Sequence, residues 1–454
     1  MLKSSDYNLG YVLKLSLISA LGGLLFGYDI SVISGAIPFI TEYFDLNEWW
    51  KGFVVSSVYI GCMVGASLAG RLSDRYGRKP MLIVSALLFV ISAIGSGIAR
   101  DLSEFFIYRL IGGFGVGMAS LLSPMYIAEI APAEIRGRFV SLNQFTIVIG
   151  ILVAYFVNYL LVDIGTNNWR WMFGSEAVPS IIFFAGMFLV PESPRWLIKA
   201  NKFDEATNIL KKIGGNTFAK ETQSHIRETL ENETRGTFRQ LFNKVLRPVL
   251  LIGIILAVFQ QWSGINVIFF YAPDIFSKTG INIETQLGQT VLVGVVNVTF
   301  TIVAILLVDQ VGRKTLILIG SAGMAICYII IGSMFKSDNL QGFGLLIMVL
   351  FTIAFYATSL APVTWVLISE IFPNRIRGLA MAVATFFLWM ACYLLTLTFP
   401  VMMDIFEGAI TFWIYAAICI AGFFFIWRNI PETKGKTLEE LEQLLKTREI
   451  PANI

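Results

Sequence analysis

About twelve stretches of this 454-residue chain each run for roughly 20 residues with few charges, the length a helix needs to cross the hydrocarbon of a bilayer. They fall near 11–38, 53–71, 80–99, 105–128, 140–161 and 173–190, then near 247–272, 288–308, 315–334, 341–368, 379–400 and 408–428. Only 14% of the residues are charged, against about 25% in soluble domains, so the chain lacks the polar surface that water requires. Its 37 Phe and 10 Trp suit a lipid-facing exterior with aromatic belts. The expected fold is an all-α membrane protein of twelve transmembrane helices in two six-helix halves, with the lipid bilayer as its solvent.

Three short strings occur twice, each pair about 240 residues apart. Asp74-Arg75-Tyr76-Gly77-Arg78-Lys79 returns as Asp309-Gln310-Val311-Gly312-Arg313-Lys314. Glu129-Ile130-Ala131-Pro132 through Arg136-Gly137 returns as Glu370-Ile371-Phe372-Pro373 through Arg377-Gly378, and Pro191-Glu192-Ser193 as Pro431-Glu432-Thr433. The chain therefore reads as a duplication with parallel halves, an arrangement that places a substrate site between them near mid-bilayer. The divisions expected are a first half at 1–191, a helical linker at 192–245, a second half at 246–431 and a tail at 432–454.

Basic residues gather after the even-numbered runs, at Arg71 to Lys79, Arg136 and Arg138, Arg195 to Lys202, Arg313 and Lys314, and Arg375 and Arg377. The alternate connections hold little beyond Lys51, Arg100, Arg170 and Lys278. By the positive-inside bias both termini are expected to be cytoplasmic, in a multi-pass protein of the cell (inner) membrane. The polar start Met1-Leu2-Lys3-Ser4-Ser5-Asp6 leads into an apolar run longer than a signal-peptide core, so no cleaved leader is expected. Between the halves, Phe203 to Ile213 and Lys220 to Glu231 carry apolar residues at helical spacing and read as short surface helices at the cytoplasmic mouth. The single histidine, His225, lies there and reads as a solvated side chain.

Gly112-Gly113-Phe114-Gly115-Val116-Gly117 is not a dinucleotide loop, because it sits inside an apolar run with no strand before it. It reads as a close helix–helix contact in lipid. Cys62, Cys327, Cys392 and Cys419 are scattered in apolar runs and read as packing residues. With no metal-ligand set and no nucleophile–base arrangement, neither an enzyme nor a cofactor is expected; no nucleic-acid partner is expected either, although the small net charge of +3 by itself says little about one.

An ionisable side chain at bilayer depth costs about 2.5–3.5 kcal/mol even on insertion scales, so each one is a functional candidate. Asp29 lies well inside the first run, Arg109 in the fourth and Glu176 near the start of the sixth. Asp29 and Arg109 read either as a structural ion pair or as a carboxylate whose protonation depends on conformation, burial favouring the neutral form and a nearby arginine the charged one. Amides form a second set: Gln144 in the fifth run, Gln260, Gln261 and Asn266 in the seventh, and Asn297 in the eighth. Amides stay neutral while offering donor and acceptor together, which suits hydroxyl-rich neutral solutes. The alternative is interhelical hydrogen bonding. Phe26 and Trp365 could offer flat faces to a sugar ring. Ser263-Gly264, after the paired glutamines, predicts a locally irregular helix where backbone is open to a ligand.

Taken together, Gly70-Arg71 through Lys79, Pro191-Glu192-Ser193-Pro194-Arg195-Trp196, Gln260 through Asn266 and Pro431-Glu432-Thr433-Lys434-Gly435 resemble the sugar porter family of the major facilitator superfamily. The resemblance covers essentially the whole chain. It is nearest to bacterial xylose–proton symporters, through Phe26-Gly27-Tyr28-Asp29 and Ser123-Pro124-Met125-Tyr126-Ile127-Ala128-Glu129. It implies a monosaccharide carrier working by alternating access, a proton as co-substrate, Asp29 and Arg109 as the coupling pair, and Gln144, Gln260, Gln261, Asn266, Asn297 and Trp365 as sugar contacts. It also implies that Asp74, Arg78, Glu129, Arg136, Arg313, Glu370 and Arg377 form an ion-pair network tying the halves on the inside while the outside is open. The protein is expected to act as a monomer. Leu388 before Trp389, Cys392 and Ala361 depart from the family pattern and make that side of the site more apolar. A sugar uniporter or a polyol or inositol carrier is the alternative within transport, and a sugar sensor the alternative outside it.

Overall fold

The computed structural model describes residues 7–231, 241, 243, 246–340, 342–372, 376–430 and 432, without the side chains of Asp309, Ser369 and Arg377. Twelve helices among the described residues are long and apolar enough to cross a membrane. The first six are Leu9–Tyr43, Glu48–Tyr76, Arg78–Ile98, Leu102–Ile130, Arg136–Leu161 and Asn168–Phe188. The second six are Arg247–Ser277, Ile283–Val308, Arg313–Lys336, Gly344–Ile368, Gly378–Ile405 and Glu407–Asn429.

Local chemistry sets many of the helix ends. Asp101 caps the fourth span, its side chain accepting from Glu104 N at 2.9 Å, and Asn282 caps the eighth by accepting from Thr285 N at 3.0 Å. Ser193 caps a short helix at Pro194–Lys199. The next helix, Phe203–Glu231, is broken at Gly214 and Gly215, where Gly215 has φ +78°, so two segments form where two were expected. Val12 and Ala131 of the first half form one cluster with Ile213, and Leu197, Ile198 and Ala206 form another within the linker itself. His225 is exposed.

Three spans are interrupted or extended in ways that simple apolar counting does not show. The sixth turns at Glu176 between Asn168–Ser175 and Ala177–Phe188. The seventh breaks at Ser263-Gly264, as predicted, with Gly264 left-handed at φ +85°. It also continues past the expected end at 272, because an irregular Tyr271 (φ −116°, ψ 20°) accommodates Pro273 within the helix. The tenth is broken at Ser359 (φ −124°, ψ −83°).

The chain divides into two compact units that do not coincide with the duplicated halves. One takes Met1–Val32, Ile60–Val157 and Ile164–Thr234; the other takes Ile33–Tyr59, Asn158–Asp163 and Arg235–Ile454. The second unit thus includes the end of the first span, the start of the second and the end of the fifth. Specific contacts inside that unit account for this. Lys51 pairs with Asp274 at 2.5 Å, Tyr59 stacks on Trp389 with centroids 5.8 Å apart, and Gly52 lies so close to the Leu397 carbonyl that a Cβ would overlap it.

In the first unit the Gly112–Gly117 string makes the close contacts expected of it. Cβ atoms on Gly61, Gly65 and Gly117 would overlap main-chain atoms of the facing helix, and one on Gly112 would overlap the Ser92 hydroxyl. Small residues here replace side-chain bulk by direct backbone packing.

Candidate functional site

Asp29 and Arg109 are both fully buried, and Arg109 Nη1 donates to Asp29 Oδ1 at 2.5 Å and to the Asp29 carbonyl at 3.2 Å. Their approach is permitted by glycines: Gly27 brings the first span onto the Ile147 carbonyl, and Gly112 leaves room beside Asp29 Oδ2. Arg109 also lies over the Phe173 ring, 5.5 Å from its centroid. Near this pair, at the turn that divides the sixth span, Glu176 is 1% exposed. Asp29 Oδ2, Arg109 Nε and Nη2 and both Glu176 carboxylate oxygens have no hydrogen-bond partner among the described residues. Two carboxylates therefore share one guanidinium in a dry setting, and one bound proton would balance their charge. The apolar runs identify Glu176 as an ionisable residue in a span, but its place beside Asp29 and Arg109 is seen only in the fold, where it sits at the turn dividing the sixth span.

The second unit gathers the amides of the seventh span. Gln260 and Gln261 are buried, and Asn266 follows the Ser263-Gly264 break half-buried. Gln260 Nε2 donates to the Leu360 and Ala361 carbonyls at 3.1 and 3.2 Å, beside the break in the tenth span. Gln261 Nε2 donates to Gln260 Oε1, and Asn266 Nδ2 donates to Gln261 Oε1 and to Cys392 Sγ. Left-handed Gly264 permits this geometry, because a Cβ there would meet the Tyr415 ring at 2.8 Å. Asn297 is buried at 2% exposure, Leu388 is buried, and Trp365 is half-buried on the tenth span. In the first unit Phe26 and Gln144 are both half-buried.

The repeated strings form one structure twice. Arg78 donates to Asp74 at 3.1 Å and to both Glu129 oxygens at 3.0 Å, while Arg78 N and Lys79 N donate to Glu192 Oε1 at 2.9 and 3.2 Å. In the second unit Arg313 lies 3.8 Å from Glu370, and Arg313 N and Lys314 N donate to Glu432 at 2.9 and 3.2 Å. Gly77 (φ +105°) and Gly312 (φ +103°) turn the backbone in each repeat so that the first N–H groups of the following helix face that glutamate. A Cβ at Gly77 would overlap the Glu192 carboxylate. Burial pushes the Glu192 carboxyl above its ordinary range, against the three backbone N–H groups that stabilise its charge. Each of these ion pairs lies inside one unit. Arg136 is exposed at the start of the fifth span, and the Arg377 side chain lies outside the described residues. The glutamates of the Pro-Glu-Ser and Pro-Glu-Thr strings were legible as a repeat, but not as caps on the Gly-Arg-Lys turns.

A family profile described as sugar (and other) transporter matches residues 15–445. The chain is 46% identical over 445 residues to the arabinose-proton symporter of Bacillus subtilis (strain 168), covering 97% of this chain and 96% of that one. It is 43% identical over 479 residues to the D-xylose-proton symporter of Escherichia coli (strain K12), covering 97% of each. A solved structure of the E. coli xylose transporter, in a partially occluded inward open conformation, matches with a TM-score of 0.85 at 42% identity, covering 94% of this chain and 100% of that one.

Proposed function

We propose that this chain, which belongs to the sugar transporter family of the major facilitator superfamily, carries a neutral pentose or hexose by alternating access together with a proton. The observation that carries the reading is the fully buried Asp29–Arg109 pair with Glu176 beside it. A protonatable group in a dry site gives a proton somewhere to bind during the cycle, and a uniporter has no use for one. Phe26, Gln144, Gln260, Gln261, Asn266, Asn297 and Trp365 form the sugar contacts. Asp74, Arg78, Glu129, Arg136, Arg313, Glu370 and Arg377 act at the basic ends of the spans, where pairing stabilises one arrangement of the helices over another. The protein resides in the cell (inner) membrane with cytoplasmic termini and works as a monomer, with sugar and proton as its substrates and no catalytic activity of its own.

Radiolabelled D-xylose and L-arabinose uptake into membrane vesicles, with and without an imposed pH difference, tests this. Accumulation is expected only when the outside is acid, and accumulation that ignores the pH difference would remove proton coupling. The amide site is tested separately. Losing one hydrogen bond from a desolvated site costs about 1–3 kcal/mol, so Gln261→Ala and Asn266→Ala are each expected to weaken sugar binding about tenfold or more. Titration of the purified protein reads this directly. If both variants bind every sugar as tightly as the parent does, the site lies elsewhere.

A further inference from the structure

Three side-chain amides in the second unit stand in a row, and the direction of each hydrogen bond along it is set from one end by the main chain. Gln260 Nε2 faces two carbonyl oxygens, Leu360 at 3.1 Å and Ala361 at 3.2 Å. Carbonyls only accept, so the Gln260 amide cannot be turned round, and its Oε1 must point along the row. That oxygen accepts from Gln261 Nε2 at 3.5 Å, which turns the Gln261 oxygen toward Asn266 Nδ2. Asn266 Nδ2 has a second partner, the Cys392 sulfur at 3.4 Å. The Tyr59 side chain hydrogen-bonds the same sulfur. Both amide hydrogens of Asn266 are thereby committed to protein acceptors, and its Oδ1 is the atom left to meet a ligand.

We infer that Cys392 is a positioning residue for sugar recognition: its sulfur is the last acceptor in the row and holds Asn266 with its carbonyl oxygen presented to a hydroxyl that the sugar donates. This rests on the sugar-transport reading above. An amide free to rotate offers donor and acceptor alternately, and fixing it beforehand removes an ordering cost from binding. The role needs an acceptor at residue 392, not sulfur chemistry. A serine oxygen fills it; alanine accepts nothing, and it deprives both Asn266 and Tyr59 of a partner.

Titration calorimetry of the purified full-length protein with D-xylose, L-arabinose and D-glucose tests the inference in the parent, Cys392→Ser, Cys392→Ala, Asn266→Ala and the double variant Cys392→Ala/Asn266→Ala. Cys392→Ser is expected to stay within about threefold of the parent and Cys392→Ala to weaken binding about tenfold. Because the two residues act through one group, Cys392→Ala is expected to add less than about twofold on top of Asn266→Ala. Should Cys392→Ala not fold, Cys392→Val fills the sulfur's space without accepting and enters the same comparison. The inference is overturned by parent-like binding in the non-accepting variant, by a serine variant that loses as much as alanine, or by an alanine effect undiminished in the Asn266→Ala background. A folded parent that binds none of the three sugars removes the sugar-transport reading, and the positioning role with it.

Discussion

Asp29→Asn is expected to give a folded protein that binds sugar and exchanges it across a membrane but no longer accumulates it, the inside concentration settling at roughly that outside. The pair it breaks is fully buried, and removing one partner of a buried pair ordinarily costs about 3–5 kcal/mol because the other charge is left alone. Here it is not left alone. Glu176 is buried close enough to Arg109 to feel its charge, and neither of its oxygens has a partner among the described residues, so it can balance the guanidinium once Asp29 is neutral. Asparagine also keeps the size and the accepting oxygen of aspartate, while removing the site that titrates. The rival account, a pair that only holds helices together, expects Asp29→Asn to lose binding, exchange and accumulation alike. Exchange and pH-driven uptake measured on the same vesicle preparation separate the two. A variant that still concentrates sugar under a pH difference removes Asp29 from the coupling step. Asp29→Asn combined with Glu176→Gln leaves Arg109 with neither carboxylate, and that double variant is expected not to fold.

The second large effect is one of packing. Gly27→Ala is expected to destabilise the protein by about 3 kcal/mol or more, at or beyond the upper end for an overpacked core, because the atom it strikes is main chain and cannot swing aside. The added Cβ would overlap the Ile147 carbonyl, and the reciprocal Cβ on Gly150 would overlap the carbonyl of Leu24. The first and fifth spans thus cross backbone to backbone two residues from Asp29. Gly137→Ala is the contrasting case: nothing lies within 4 Å of its Cβ, and alanine favours a helix over glycine by about 0.5–1 kcal/mol. The thermal midpoints in detergent are expected to fall sharply for Gly27→Ala and to hold or rise slightly for Gly137→Ala. Equal midpoints for the two variants would mean that the crossing is not as tight as described.

The twelve spans were legible because bilayer thickness imposes a length that a run of Leu, Ile, Val and Phe displays directly. The Ser263-Gly264 break was legible too, since glycine after serine and two glutamines has no reason to sit in a regular apolar helix. The turns at Glu176, Tyr271 and Ser359 were not: Pro179, Pro273 and Pro362 follow them within two or three residues, but a proline in an apolar run either kinks the helix or ends it, and tertiary packing selects which. At the polar sites the Asp29–Arg109 pair was expected from the sequence and is present in the fold. The partners of the amides were not expected: Gln260 and Leu360 are 100 positions apart, so only the folded chain shows that one meets the other. Cys392 reads as a packing residue until the Asn266 amide is seen against its sulfur. The units themselves were hidden for a similar reason. A duplication divides the chain by ancestry, whereas the Lys51–Asp274 pair and the Tyr59–Trp389 stack divide it by contact.

The most direct test of proton-coupled sugar transport is the pH of a lightly buffered medium around proteoliposomes when D-xylose or L-arabinose is added with no gradient imposed. Symport carries protons inward with the sugar, so the medium is predicted to turn alkaline as sugar enters, and Asp29→Asn is predicted to abolish that change while leaving exchange intact. Sugar that enters the parent proteoliposomes with no movement of protons would contradict the account.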